Sequence, residues 1–416
     1  FYRKRYASNE IDSGNAEQEE KTVTIQLPMY NELYVVERLI NSVCQIEYPK
    51  DKLEIQVLDD STDETVDLVA KIVAQKQAEG FDIVQIRRSN REGYKAGALK
   101  EGLKTAKGEY VAIFDADFIP KPDFLRNTMK YFSGPEIGMV QTRWEHLNED
   151  YSLLTKIQAL ALNGHFVIEQ HVRNRSGFFI NFNGTGGVWK KECIEDAGNW
   201  HSDTLAEDLD LSYRAQLKGW KFVYLRNITT PAELPLEMNA LKAQQFRWTK
   251  GHIESAKKLL PLVWQSNMPM RVKLQSTFHL ASNIIFPFIL LAGILNVPLV
   301  FIKNSGPHDG FFNFMSIFIV AFFSSFFFYL YAQKDVDSNW RKKIAFFPLF
   351  MAGSMGFALN NSRAVFEGLM NRKSSFVRTP KFKVESKNEN WAANKYLGKK
   401  RKIETSAIIE LLLAVY

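Results

Sequence analysis

Cysteine is nearly absent: Cys44 and Cys193 are the only two in 416 residues, far apart and without metal-ligand spacing. This excludes a disulfide-stapled scaffold and a cysteine-bound metal, and it fits a reducing compartment. No GxGxxG follows any apolar run and no GxxxxGK[ST] occurs, so nicotinamide and ATP chemistry find no support. Charge is also missing where it is usually scattered, since residues 277–302 and 311–332 contain no Asp, Glu, Lys or Arg. Each stretch is long enough for a hydrocarbon core of about 30 Å. Core helices of soluble proteins seldom stay uncharged for more than about 18 residues, so both are read as membrane-spanning helices.

Elsewhere the chain is richly charged, with 53 Lys and Arg against 46 Asp and Glu, a net charge of +7. Much of the excess is C-terminal, where eleven Lys and Arg fall between positions 372 and 402. That density suits a cytoplasmic membrane surface and contact with membrane lipids. No base-reading motif accompanies it, so nucleic acid is not an expected partner. A chain that opens on Phe1 and stops inside the apolar run 407–416 is expected to be cut from a longer protein.

After a polar lead-in at 1–21, short apolar runs alternate with amphipathic ones. Residues 23–27, 55–58, 83–86 and 110–114 predict buried strands, and 34–43, 62–77 and 95–105 predict helices between them. This is an α/β sheet, in which ligands bind beyond the carboxyl ends of the strands. Three of those ends carry polar chemistry: Pro28-Met-Tyr30-Asn-Glu32, Asp59-Asp60-Ser61 and Asp115-Ala-Asp117.

Magnesium and manganese prefer oxygen ligands, so Asp115 and Asp117 are placed to hold such an ion against a diphosphate leaving group. A solvated turn would also explain that triplet taken alone. Asp59 and Asp60 can accept from a nucleobase or ribose, or cap the helix that follows. Glu207, Asp208 and Asp210 precede an amphipathic run, and Asp208 is the choice for a base that deprotonates an acceptor hydroxyl. In Gln244-Gln-Phe-Arg247-Trp248 the guanidinium suits phosphate and the indole a sugar face, though both could snorkel at a membrane. The glycine-dense 182–187 implies close backbone approach to a ligand or a tight hairpin. His165, Glu169 and His171 have metal-like composition, but His171 falls off the shared helical face, and ordinary packing is the better reading.

In this order, and with membrane segments after them, the motifs resemble the family 2 glycosyltransferases, in particular the cellulose synthase and cellulose synthase-like branch. The resemblance rests on Gln26-Leu-Pro-Met-Tyr-Asn-Glu32, Gln56-Val-Leu-Asp-Asp-Ser-Thr-Asp63, Gly93-Tyr-Lys-Ala-Gly-Ala-Leu99, Asp115-Ala-Asp117, Gly184-Thr-Gly-Gly187, Glu207-Asp208 and Gln244-x-x-Arg247-Trp248. It implies a nucleotide-diphospho-sugar transferase (GT-A) domain at 22–250, working by inversion. Asp208 with Glu207 would be catalytic. Pro28, Tyr30, Glu32, Asp59, Asp60, Lys95, Asp115 and Arg247 would bind the donor, and Gly184, Thr185, Gly186, Gln244 and Trp248 the acceptor. Asp115 and Asp117 would hold Mg2+ or Mn2+. Phe376, Thr379 and Lys381 resemble a gating loop, although Arg378 and Pro380 depart from its usual form.

A third full span at 344–357 would put that loop across the membrane from the active site. The segment 344–371 is therefore expected to be interfacial or re-entrant, with the basic loop at 372–403 on the cytosolic side. Residues 251–276 are expected to be interfacial, 277–332 to hold two spans, and 404–416 to begin another. The implied protein is an integral membrane enzyme with a cytoplasmic catalytic domain. It would polymerise a β-linked glucan or mannan from UDP-glucose or GDP-mannose, with an export partner beyond the membrane. A transferase adding one sugar to a lipid is the alternative, and the gating-like loop favours the polymer. A catalytically silent scaffold is disfavoured by the intact carboxylates, which are costly to bury unpaired.

Overall fold

The protein is described by a computed structural model covering residues 20–306, 308–372, 374, 379–384, 395–396 and 405–416. Its first half alternates strand and helix as β1 (Val23–Met29), α1 (Val36–Cys44), β2 (Leu53–Asp59), α2 (Thr65–Ala78), β3 (Asp82–Ile86), α3 (Tyr94–Thr105) and β4 (Tyr110–Ile113). These strands pair in parallel, and β1 and β2 are buried along their whole length. Helices cover both faces of such a sheet, so the polar residues that alternate along β1 and β2 are buried too and pair across the strands, Thr24 Oγ1 donating to Glu54 Oε2 at 2.6 Å and Gln26 Nε2 to Gln56 Oε1 at 3.0 Å.

Each expected strand and helix forms. The expected helix at 62–77 begins later, at Thr65, because local side chains already hold the preceding backbone. Asn31 Oδ1 accepts from Thr62 N at 2.9 Å and Asp63 Oδ1 from Thr65 N at 3.0 Å.

The chain continues through α4 (Phe124–Met129), β5 (Ile137–His146), α5 (Leu153–Asn163), a π-helical stretch at Gly164–Gln170, α6 (His171–Arg175), β6 (Gly187–Lys190), α7 (Lys191–Asp196), α8 (Glu207–Leu217) and β7 (Lys221–Ala232). The sheet has the order β3-β2-β1-β4-β6-β5-β7, with β6 antiparallel to both neighbours. From β1 the chain steps outward to β3 and returns to β4 on the other side, so the crevice between β1 and β4 is the topological switch point. Pairing of Gly187 with Ile113 brings the glycine-rich loop 182–187 to the end of β4, next to Asp115. Apolar clusters fill both sides of the sheet, one under α1 and α2, the other around Trp189, Trp200 and Tyr224.

Helix α9 (Met238–Gln265) leads out of this domain. Beyond it, α10 (Met270–Ala281) and α11 (Ile285–Asn304) form one apolar rod, and α12 (Asp309–Met315) with α13 (Ile319–Val336) a second. By length and composition both rods can cross a membrane, and neither has its apolar window buried within the protein. Their outer faces carry Phe288, Phe301, Ile317 and Val320, exposed apolar surface on a scale that marks a membrane or partner contact.

After α14 (Trp340–Ile344), the helix α15 (Phe347–Gly356) has 10 residues, so it rises only about 15 Å, half of a hydrocarbon core. Helix α16 (Ala358–Leu369) then returns along α9. Lys250 of α9 is fully buried, with Nζ 3.5 Å from Glu367 and donating to Arg372 O; Lys257 Nζ donates to Leu369 O at 2.7 Å. Cations at the carbonyl end of α16 complement its dipole and end the helix there. A last apolar helix, α17 (Thr405–Val415), is tied to α9 by Lys242–Glu410 at 2.6 Å.

Candidate functional site

At the switch point lies a cleft of about 1120 Å³ whose walls come from the ends of β1, β2, β4 and β7, the start of α8 and one face of α9. Asp115 and Asp117 follow β4. Thr185 Oγ1 accepts from Asp115 N at 2.9 Å, and Gly186 N donates to Ile113 O at 2.9 Å, so the glycine-rich loop fixes the backbone that carries the acidic pair. Lys95, on α3, reaches across with Nζ 2.5 Å from Asp115 Oδ1 and 2.8 Å from Gly184 O. Burial works against its charge, but Asp115 and Glu207 outweigh burial and raise its pKa.

Gly184 has φ +80, and a Cβ there would meet Asp208 Oδ2 at 3.2 Å and Lys95 Nζ at 3.4 Å. Only glycine therefore lets the backbone pass between acid and base. Asp208 stands in the first turn of α8, accepting from Leu209 N at 2.8 Å. Burial and then the neighbouring Glu207 push its carboxyl up from the ordinary 3.8 to about 7. Asp210, two residues on, is committed to structure instead, with Arg214 at 2.8 Å and Lys258 at 2.9 Å.

On α9, Gln244, Arg247 and Trp248 follow helical spacing along one face and all line the cleft. They do not face lipid. Burial lowers the Arg247 pKa, and Glu207, Asp115, Asp117 and Asp208 pull it back up, which places this guanidinium among the acidic groups of both walls.

From beyond α16 the segment 379–384 returns to the cleft. Lys381 pairs with Asp117, Phe382 N donates to Glu233 Oε1 at 3.0 Å, and Phe382 packs with Leu236 and Val384. Glu233 is held in turn by Arg38 at 3.1 Å. Thr379 and Lys381, expected to belong to a gating loop, line the cleft, while Phe376 lies outside the described residues.

Of the remaining expected residues, Pro28, Tyr30, Glu32, Asp60 and Glu207 line the cleft. Asp59 does not. It is buried, accepting from Ser61 N at 2.9 Å and Gln85 Nε2 at 2.8 Å. Thr185 and Gly186 lie behind the lining, where their contacts orient Asp115. Sequence reasoning passed over Arg91, Trp144, His146 and His252, which also line the cleft and stand in no recognisable motif. Burial, then Arg143, pushes His146 down to about 3, and burial, then His165, pushes His252 to about 4, so both are neutral at ordinary pH.

His165 lines the cleft and pairs with Glu169 at 2.9 Å, whereas His171 is buried against Tyr224. His201, Asp203 and Asp210 bring ligand atoms within 4.8 Å of one another. The Lys258 ammonium already sits among them, 2.8 Å from Asp203 and 2.9 Å from Asp210, so that cluster is an ion-pair network closed around a lysine.

A seven-stranded mixed sheet in this order, with an acidic pair ending the central strand, defines a nucleotide-diphospho-sugar transferase fold. The family described as "Glycosyltransferase like family 2" matches residues 21–251. The chain belongs to that family. Among its relatives, Glucomannan 4-beta-mannosyltransferase 1 of Oryza sativa subsp. japonica is 42% identical over 66% of this chain and 52% of its own length. Glucomannan 4-beta-mannosyltransferase 2 of Arabidopsis thaliana is 45% identical over 57% of this chain and 46% of its own. The chain spans about half the length of the curated relatives it matches. The solved structure of the mannosyltransferase PcManGT from Pyrobaculum calidifontis, in complex with GDP-Man and Mn2+, shares the fold. Its TM-score is 0.62 at 19% identity, over 89% of this chain and 93% of that one.

Proposed function

We propose that this chain is the catalytic part of a processive, inverting hexosyltransferase that extends a β-linked mannan or glucomannan at a membrane, taking mannose from GDP-mannose. The reading is carried by one observation. A carboxyl whose pKa is pushed up to about 7, Asp208, shares a cleft with an acidic pair, a half-buried guanidinium and a helix-borne tryptophan. The names of the relatives at 42% and 45% identity favour mannose over glucose.

A divalent ion fits the acidic pair. Asp115 and Asp117 offer oxygen ligands only, and each has a lysine ammonium against it, Lys95 and Lys381, marking where positive charge is wanted. Mg2+ or Mn2+ held there would offset charge on the departing diphosphate. Arg247 adds fixed positive charge to the same region, and Lys95 holds Asp115 and the Gly184 carbonyl in place. Tyr30, Glu32 and Asp60 lie at the end of the cleft suited to the nucleoside.

Gln244 and Trp248 bind the acceptor end, the indole against the sugar face. Asp208 takes the proton from the acceptor hydroxyl, the freed oxygen pair attacks the anomeric carbon, and the bond to the diphosphate breaks with inversion. A base with a pKa near 7 is matched to this task at neutral pH.

The two apolar rods are read as spans with both outer ends on the catalytic side. Helix α15 is too short to cross, and α16 is bound along α9, so the return of 379–384 to the cleft needs no third crossing. This supports a cytosolic catalytic domain and an interfacial or re-entrant segment at 344–371. The test is incorporation of labelled sugar from GDP-mannose, UDP-glucose and UDP-N-acetylglucosamine in membranes, with the product sized. A long mannanase-sensitive chain from GDP-mannose is expected, whereas one mannose on an extractable lipid would replace the polymer reading with the lipid one.

A further inference from the structure

The nucleoside end of the cleft contains a cation that the transfer chemistry above does not use. Arg91 lies with its guanidinium carbon 3.3 Å from the centre of the Tyr30 ring and 5.1 Å from that of Tyr94. All three residues line the cleft, as does Asp60.

The surrounding chain is built to hold it there. Tyr94 N donates to Arg91 O at 3.2 Å, closing a turn in which Gly93 has φ +69 and Tyr94 itself φ +49. A non-glycine residue in the left-handed region is strained, and such strain concentrates at ligand sites. Arg88 fastens the turn from below, donating to Glu92 O at 2.8 Å and Tyr94 O at 3.0 Å while gripping Asp60 with Nε and Nη2. Gly97 lies so close under the turn that a Cβ would come within 2.1 Å of Glu92 O.

We propose that Arg91 is the residue that selects the donor's base, its guanidinium fork donating to the adjacent O6 and N7 acceptors of a guanine. The inference rests on the nucleotide-sugar reading of the cleft. Guanine presents O6 and N7 as adjacent acceptors on one edge, a pair that uracil lacks, and arginine is the side chain whose planar fork meets both. Guanine also carries donors on its neighbouring edge, so an acceptor-only carboxylate such as Asp60 beside the cation suits it. Uracil presents a single N–H between two carbonyls and gives the fork one acceptor. Stacking on Tyr30 removes rotamers from the guanidinium in advance, so less freedom is lost on binding.

The test is titration of GDP and UDP, each with Mn2+, into the full chain in lipid nanodiscs, comparing wild type with Arg91→Gln and Arg91→Lys. A lost bidentate contact, about 1–3 kcal/mol, corresponds to about five- to 150-fold in affinity. Wild type should prefer GDP, and both variants should lose about fivefold or more for GDP. UDP should stay within about twofold, which also shows that the variants are folded. Equal losses for GDP and UDP would make Arg91 a general charge contact and overturn the proposal, as would unchanged GDP binding or a wild-type preference for UDP. A wild type that binds neither nucleotide would overturn the donor reading itself, along with the inference built on it.

Discussion

Asp208 carries opposite consequences for chemistry and for stability, because its carboxyl is raised to about 7 by burial and then Glu207. As a base it works only when ionised, so kcat/KM should fall about tenfold per pH unit below pH 7. For folding the sign is reversed. Between its ordinary pKa and about 7 the folded chain keeps a proton that the unfolded chain loses, so stability fully present below pH 4 drains away as pH rises to 7. Asp208→Asn should therefore abolish transfer, by about 10²-fold or more, keep GDP binding, and melt higher than wild type. That gap in melting temperature should open above pH 4 and be complete above pH 7; an equal or lower melting temperature at pH 8 would show that the carboxylate is not burdened. Gly184→Ala tests the neighbouring contact. With φ +80 and a Cβ 3.2 Å from Asp208 Oδ2, it should lose about 1–3 kcal/mol in stability and most of its turnover in the labelled-sugar assay.

At the scale of elements, the strands and helices up to β4 were legible because short runs rich in Val, Ile and Leu alternate with longer amphipathic ones. The Asp115 and Asp208 motifs were legible too, one just past the end of β4 and the other in the first turn of α8, whereas Arg247 stands inside α9 and was legible only from its Gln244-x-x-Arg247-Trp248 spacing. Asp59 was not separable from Asp60 in sequence, since only the fold shows Gln85 of the adjacent strand taking its oxygen. Arg91 and His146 escaped because their positions depend on a turn geometry and a cleft wall that no spacing records. The segment 379–384 makes its own prediction. Lys381 pairs with Asp117, one of the two carboxylates proposed to hold the divalent ion, so lysine and ion would compete before donor arrives. Lys381→Met should tighten Mn2+ binding in the absence of nucleotide, by about fivefold or more on the scale of typical couplings, as read by electron paramagnetic resonance. Unchanged or weaker Mn2+ binding would remove the competition.

In the whole molecule, α9 joins the transferase domain to two apolar rods, and α16 returns along that helix. The rods were legible from the absence of charge alone, whereas the clamp of Lys250 and Lys257 on the end of α16 depends on contacts more than a hundred residues apart in sequence. The topology predicts that a cysteine replacing Met370, which is exposed just after α16, is labelled from the same side of sealed vesicles as one replacing the exposed Lys104 on α3. Labelling from opposite sides would require a third crossing. The proposed polymerisation of mannose from a guanosine-diphosphate donor is decided by the product that membranes make. Membranes holding the full chain, given labelled GDP-mannose and Mn2+, should yield a long β-linked polymer cut by endo-mannanase and absent from Asp208→Asn membranes. Label confined to an organic-extractable lipid, or polymer made equally by the Asp208→Asn variant, would contradict it.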